Sequence, residues 1–297
     1  MLVFLNGAMV ERDAARISAF DAGAQHGIGL FETMLAREGV LFRAERHVRR
    51  LVESARELGL SDSLRVEPLV EAVHHVLERN ALAAARMRLT VTGGDLNFLH
   101  SGGRPARDPT ILISAQPPTI YPEAFFEQGV VVMVADPRAT PFDPFAGHKT
   151  IDYWRRIRVL QQVGAAGGSE ALWFTVTNHL ASGSVSNVFL VRDGTLLTPF
   201  ARGEEVAGAL RAPVLPGIQR ETVIELAEGL GLAVERRMLA IEDVFAAEEI
   251  FLTNSSWGVL PVRQVEAHVV GRGAPGPITA ALRRRWLDLV GEAPPAS

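Results

Sequence analysis

A proline pair, Pro117-Pro118, divides this chain of 297 residues into two stretches, each with its own alternation of strand-sized and helix-sized apolar patterns. A chain of this length exceeds what one hydrophobic core ordinarily supports, so two domains are expected, a smaller one over 1–118 and a larger one over 119–297. In the first, strands are predicted at 2–5, 9–10, 33–36, 86–92 and 110–114. Helices are predicted over 43–58, where Val48, Leu51, Ala55 and Leu58 recur at helical spacing before Gly59, and over 66–82. After a connection at 119–128, the second stretch predicts strands at 130–135, 171–175, 188–191, 196–198, 233–235, 249–253 and 259–262. Its helices are predicted at 150–163, 219–229 and 278–289. Asp193-Gly194 marks a hairpin between two of these strands. The fold class is α+β (α/β mixed).

Charge and composition exclude several function classes. The net charge is −4, with acids and arginines interspersed, so no electrostatic footprint for nucleic acid is present. Arg283-Arg284-Arg285 reads as the solvated face of a closing helix. There is no cysteine, which removes disulfides, thiolate metal sites and thiol catalysis. The longest apolar run, from Val130 to Ala135, is strand-sized, so no membrane span is expected. The first residues carry no signal-peptide pattern, and a cytoplasmic location is expected.

Among thirty basic residues, twenty-nine are arginine and one is lysine, Lys149. A guanidinium keeps its proton and forms no imine, whereas a partly buried ε-amine can lose its proton and condense with an aldehyde. Lys149 lies in Gly147-His148-Lys149-Thr150-Ile151-Asp152-Tyr153-Trp154. Alone, it reads equally well as a surface lysine.

Three further segments suit an anion. Leu215-Pro216-Gly217-Ile218-Gln219 is a turn feeding a helix, and the first N–H groups of a helix point outward unpaired. Thr253-Asn254-Ser255-Ser256 ends a strand with clustered hydroxyls and amides, suited to phosphate oxygens or simply to a turn. Arg49-Arg50 lies on a helix with an apolar face, so one of the pair can turn inward, where a buried guanidinium requires an anion.

Six segments in register resemble the class IV aminotransferase family, the fold type IV pyridoxal-phosphate enzymes. They are Gly29-Leu30-Phe31-Glu32-Thr33, His47-Val48-Arg49-Arg50-Leu51, His148-Lys149-Thr150-Ile151-Asp152-Tyr153, Gly183-Ser184-Val185-Ser186-Asn187-Val188-Phe189, Leu215-Pro216-Gly217-Ile218 and Glu249-Ile250-Phe251-Leu252-Thr253-Asn254-Ser255. The resemblance implies a two-domain fold with pyridoxal 5'-phosphate between the domains, a homodimer, and an amine or amino-acid substrate. It makes Lys149 the lysine that bonds the cofactor and later moves the substrate proton, and Arg50 a phosphate ligand. Backbone N–H groups of Ile218 and Gln219 and the hydroxyl of Ser255 complete the phosphate site. Tyr153 becomes a candidate for the cofactor's phenolic oxygen, and Phe31 for the substrate side. Arg88 reads either as a contact for a substrate carboxylate or as a strand-surface arginine.

The chain departs from the family at two positions: Ile28 stands in Gly27-Ile28-Gly29 where the family usually has Asp, and the second departure bears on the chemistry. Members of the family place an acidic residue just before the Gly-Ser-x-Ser-Asn segment, against the cofactor's pyridine nitrogen; this chain has Ser182. A hydroxyl can hydrogen-bond that nitrogen but does not hold a full charge on it. Glu170 lies too far upstream to be the same residue. By analogy with other pyridoxal enzymes that use serine there, and from the segment 254–262, the first expectation is a 4-amino-4-deoxychorismate lyase-like elimination of pyruvate. An aminotransferase for branched-chain or D-amino acids is the alternative, and a cofactor-binding protein without turnover the third reading.

Overall fold

The computed structural model describes residues 1–95 and 109–291. Contacts divide the chain into two compact units: Met1–Thr119 with His148–Tyr153, and Ile120–Gly147 with Trp154–Ser297. The lysine segment, read from the sequence as part of the larger second domain, therefore packs with the first unit.

The first unit is built on a six-stranded antiparallel sheet of order β2-β1-β6-β5-β3-β4. The strands are β1 Leu2–Leu5, β2 Ala8–Glu11, β3 Gly29–Arg37, β4 Val40–Leu41, β5 Ala85–Thr92 and β6 Thr110–Gln116. Among the described residues, three α-helices accompany it: α1 Ala22–His26, α2 Ala44–Glu57 and α3 Val66–Arg79. Of the predicted apolar stripe, Val48, Leu51 and Ala55 are buried on α2, with Val52 beside them, in a core that includes Met34, Val73, Leu77, Met87, Leu89 and Ile113; Leu58 lies just past the helix end, half-buried against the same core. Burying each of the valine, leucine, isoleucine and methionine side chains contributes about 1.5–3 kcal/mol. Just beyond α2, Gly59 takes a left-handed φ of 66°, which a glycine adopts without a Cβ penalty.

β3 is longer than its predicted core, and almost every residue in it is buried, so polar alternation is missing. Successive side chains still point to opposite faces. Leu30, Glu32 and Met34 take the face that meets α2, and Phe31 takes the other.

The second unit holds a nine-stranded mixed sheet of order β12-β11-β10-β13-β14-β7-β8-β9, with β15 paired to β14. The strands are β7 Val130–Val134, β8 Glu170–Phe174, β9 Leu180–Gly183, β10 Asn187–Arg192, β11 Thr195–Thr198, β12 Val234–Arg236, β13 Glu249–Asn254, β14 Gly258–Val265 and β15 His268–Val269. Its helices are α4 Ala124–Glu127, α5 Trp154–Ala165, α6 Ile218–Gly229, α7 Ile241–Phe245 and α8 Pro277–Val290. Val159 and Val163 of α5 pack on Ala171 and Trp173 of β8.

Two differences from the sequence expectation bear on the site. The helix predicted from 150 begins at Trp154, because the residues before it pair with β3 instead: Phe31 N donates to the Lys149 carbonyl (2.9 Å) and Ile151 N to that of Gly29 (3.0 Å). β9, which contains Ser182, carried no strand signal; its Ala, Ser and Gly residues are placed by pairing with β8.

Candidate active site

In the first unit, backbone pairing delivers Lys149 to the Phe31 face of β3. An isolated bridge joins Leu30 and Thr150, and Gly29 permits the approach: a Cβ there would sit 2.7 Å from the Val91 carbonyl oxygen and 3.0 Å from the Ile151 side chain. Next to the lysine, His148 Nδ1 lies 2.9 Å from the Ser54 hydroxyl and its Nε2 lies 3.7 Å from Glu57, which tethers the segment to α2. The Lys149 ammonium group is 4.3 Å from the centroid of Phe31 and 5.5 Å from that of Tyr153. The two rings meet edge to face at 5.2 Å. The Arg88 guanidinium lies 3.8 Å from the same Phe31 centroid, and its Nε donates to Thr90 Oγ1 at 3.2 Å. Phe31, Arg88, Lys149 and Tyr153 thus form one cluster, in which a single buried ring contacts an amine and a guanidinium.

On the opposite face of β3, Arg50 turns inward, with a side chain 11% exposed, while Arg49 is 53% exposed and pairs with Glu45 one turn away. The sequence called for an anion at Arg50. The protein supplies one: Arg50 Nε and Nη2 donate to the two Glu32 oxygens at 2.8 and 2.6 Å. His47 Nδ1 lies 2.7 Å from the same carboxylate. Burial pushes the Glu32 carboxyl up, but the Arg50 charge and the hydrogen bonds from His47 and Arg50 prevail and hold it at about 2. Burial keeps His47 below the usual imidazole range, against the pull of Glu32. Any phosphate role for Arg50 is therefore exercised by an arginine already oriented by a carboxylate.

The second unit assembles an anion cradle. α6 starts at Gly217 without a side-chain cap, and a Cβ on Gly217 would overlap the Asn187 amide oxygen. Asn187 Nδ2 donates to the Leu215 carbonyl at 2.9 Å, which holds the turn ahead of the helix against β10. Asn187 pairs with Thr253 on β13, whose buried hydroxyl has no hydrogen-bond partner among the described residues. Beyond it, Asn254 Oδ1 accepts from the backbone N–H of Ser256 (2.8 Å) and of Trp257 (3.1 Å), shaping the turn that carries Ser255. Ile218 and Gln219 are the first two helical residues. The Gln219 side-chain oxygen accepts from Trp286 Nε1 at 2.7 Å, so that amide serves packing and the backbone N–H is the group suited to an anion. An uncapped helix start, a close backbone approach and an orphaned hydroxyl suit a phosphate.

Ser182 is 5% exposed on β9, opposite Trp173 of β8. Its hydroxyl lies 3.5 Å from Arg156 Nη1, and the same nitrogen donates to the carbonyls of Gly183 and Ser184 at 3.0 Å each. Glu170 does not stand in for the acid missing at 182. Its Oε1 accepts from the N–H groups of Ala171 (2.8 Å) and Ser184 (2.9 Å), and its Oε2 accepts from Val185 N (3.1 Å) and Ser186 Oγ (3.0 Å). Burial pushes this carboxyl up, and the four donors oppose that. Arg156 and Glu32 were not singled out in the sequence. Arg156 could have been found, because it precedes Val159 by three residues and Val163 by seven, which puts it on the buried stripe of α5 while Arg155 and Arg158 are exposed.

The class IV amino-transferase family model matches residues 29–265. The chain is 30% identical over 290 residues to a putative branched-chain-amino-acid aminotransferase of Methanocaldococcus jannaschii, covering 97% of this chain and 96% of that relative. The crystal structure of the Escherichia coli branched-chain amino acid aminotransferase superposes with a TM-score of 0.88 at 28% identity, covering 99% of this chain and 96% of that one. The 4-amino-4-deoxychorismate lyase of Pseudomonas aeruginosa superposes with a TM-score of 0.82 at 30% identity, covering 97% of this chain and 98% of that one.

Proposed function

The chain belongs to the class IV aminotransferases, pyridoxal-phosphate enzymes, and from that premise we propose that it moves the amino group of a branched-chain amino acid to a 2-oxo acid. One observation carries the reading: Lys149 and Arg88 both lie against the ring of Phe31. An α-amino acid needs a group that exchanges a proton with its α-carbon and a fixed cation for its carboxylate. Lys149 can do the first and Arg88 the second.

Bound pyridoxal phosphate supplies the aldehyde and the electron-withdrawing ring. Lys149 would hold the cofactor at rest and accept the α-proton once the substrate amine has displaced it. Tyr153, edge to face with Phe31, would limit how far the lysine moves. The α6 start and Ser255 are proposed for the phosphate; from the family resemblance alone, Arg50, oriented by Glu32, is proposed as a phosphate ligand too. A homodimer, carried by the family resemblance, and a cytoplasmic location are part of the same proposal.

The motifs alone put elimination first. Similarity over nearly the whole chain to aminotransferases supports the reverse order. The lyase stays as the second reading because Ser182 stands beside an arginine, which suits a reaction driven by aromatisation of its product more than one relying on a charged ring. Incubation with leucine, isoleucine or valine plus 2-oxoglutarate should yield glutamate. Pyruvate released from aminodeoxychorismate, with no glutamate from any of the three, would decide for the lyase.

A further inference from the structure

We propose that Arg156 and Ser182 keep the cofactor's ring nitrogen unprotonated in the resting enzyme, which makes Arg156 a positioning residue for the site's electronics. The inference rests on the reading that pyridoxal phosphate binds with its ring nitrogen toward Ser182, the position where the family carries its acid.

Arg156 is a fixed charge. Its guanidinium carbon lies 5.0 Å from the centroid of Trp173, and Nη1 donates to the carbonyls of Gly183 and Ser184 at 3.0 Å. Trp173 is itself held, its Nε1 donating to Ser184 Oγ at 2.9 Å. A guanidinium stacked on an indole and bonded to two carbonyls of the β9–β10 turn does not swing away.

Nη1 is shared by three acceptors, the two carbonyls and, at 3.5 Å, the Ser182 hydroxyl oxygen. The hydroxyl oxygen thus faces positive charge, which turns its hydrogen outward and makes it a donor. A ring nitrogen that meets a donor must offer its lone pair, so it carries no proton. A protonated ring would also add a second positive charge beside the guanidinium, which like-charge repulsion disfavours. The neighbouring carboxylate offers no compensation, because both Glu170 oxygens are engaged by Ala171, Ser184, Val185 and Ser186.

The test is the nitrogen-15 chemical shift of pyridine-labelled pyridoxal phosphate in the full-length, cofactor-loaded protein, without substrate. Wild type should show a neutral pyridine nitrogen at pH 7. Arg156→Lys, which keeps the charge, should show the same. Arg156→Gln should raise the nitrogen's protonation midpoint by at least one pH unit, a tenfold change in its protonation constant. A pyridinium signal in wild type overturns the proposal without any variant, and so does a titration unchanged in a folded Arg156→Gln protein. Borohydride reduction of the same sample keeps the two failures apart. A label fixed on Lys149 with a pyridinium signal sinks only this inference, while no label on Lys149 removes the reading beneath it as well.

Discussion

Arg50 and Glu32 are joined by two hydrogen bonds, 2.8 and 2.6 Å, in a pair almost closed to solvent between α2 and β3. Removing one member of such a pair strands the other charge in the interior. Arg50→Ala should destabilise the protein by about 3–5 kcal/mol, whereas Arg49→Ala, at an exposed one-turn pair, should stay within about 0.5 kcal/mol. Urea denaturation of the two variants checks this, and equal losses would contradict it.

The same pair sets an acid limit. The Glu32 carboxyl sits at about 2 in the folded protein, below its ordinary value of 4.5, so its contribution is complete above 4.5 and is lost as the pH falls toward 2. Its size is on the order of 3 kcal/mol. The stability gap between wild type and Glu32→Gln should therefore close between about pH 4.5 and pH 2. A gap that stays constant over that range would show that the pair is not the source.

Much of this site could be read in the sequence. Lys149 stands out because no other lysine competes with it. The inward turn of Arg50 follows from helical spacing, since it lies next to Leu51 and three residues after His47 on the buried side of α2. Glu32 was hidden for a physical reason: β3 is covered on both faces, so a buried carboxylate sits in an almost uninterrupted apolar run with no alternation to flag it. The inward side of Arg156 was legible from its spacing to Val159 and Val163, but its partners were not, because they are the backbone carbonyls of Gly183 and Ser184, 27 and 28 residues away, which only folding brings near. The early start predicted for α5, at 150, has a similar cause, since the strand-like pairing of 149–151 is decided by β3 and not by local propensity.

The phosphate cradle predicts a steric effect. A methyl group on residue 217 overlaps the Asn187 amide oxygen and pushes the start of α6 from its place. Gly217→Ala should weaken pyridoxal-phosphate binding by roughly tenfold, about 1.4 kcal/mol, with Lys149 still able to be labelled at high cofactor. Fluorescence titration of the cofactor-free protein measures this, and unchanged affinity would place the phosphate elsewhere.

Arg88 is tested by kinetics. If its guanidinium receives the substrate carboxylate, Arg88→Ala should lower kcat/KM by roughly 10- to 100-fold, about 1.5–3 kcal/mol. Cofactor absorbance should not change. Wild-type kcat/KM in this variant would return Arg88 to the role of a strand-surface arginine.

Ser182 and Arg156 can be separated by a double substitution. In Ser182→Glu the new carboxylate would pair with Arg156, its neighbour at 3.5 Å, and not with the cofactor. Ser182→Glu combined with Arg156→Gln should instead raise amino transfer relative to elimination. The ratio of glutamate to pyruvate formed in the two proteins checks this, and equal ratios would mean that the position does not set the reaction type.

Lys149 is proposed to carry the cofactor, and the chain has no other lysine to confuse the result. The measurement is borohydride reduction of the cofactor-loaded protein, followed by peptide mass mapping and repeated on Lys149→Ala. A pyridoxyl group is expected on Lys149 in the wild type, and neither label nor turnover in Lys149→Ala. A label confined to the Met1 amine, or full activity in Lys149→Ala, would contradict it.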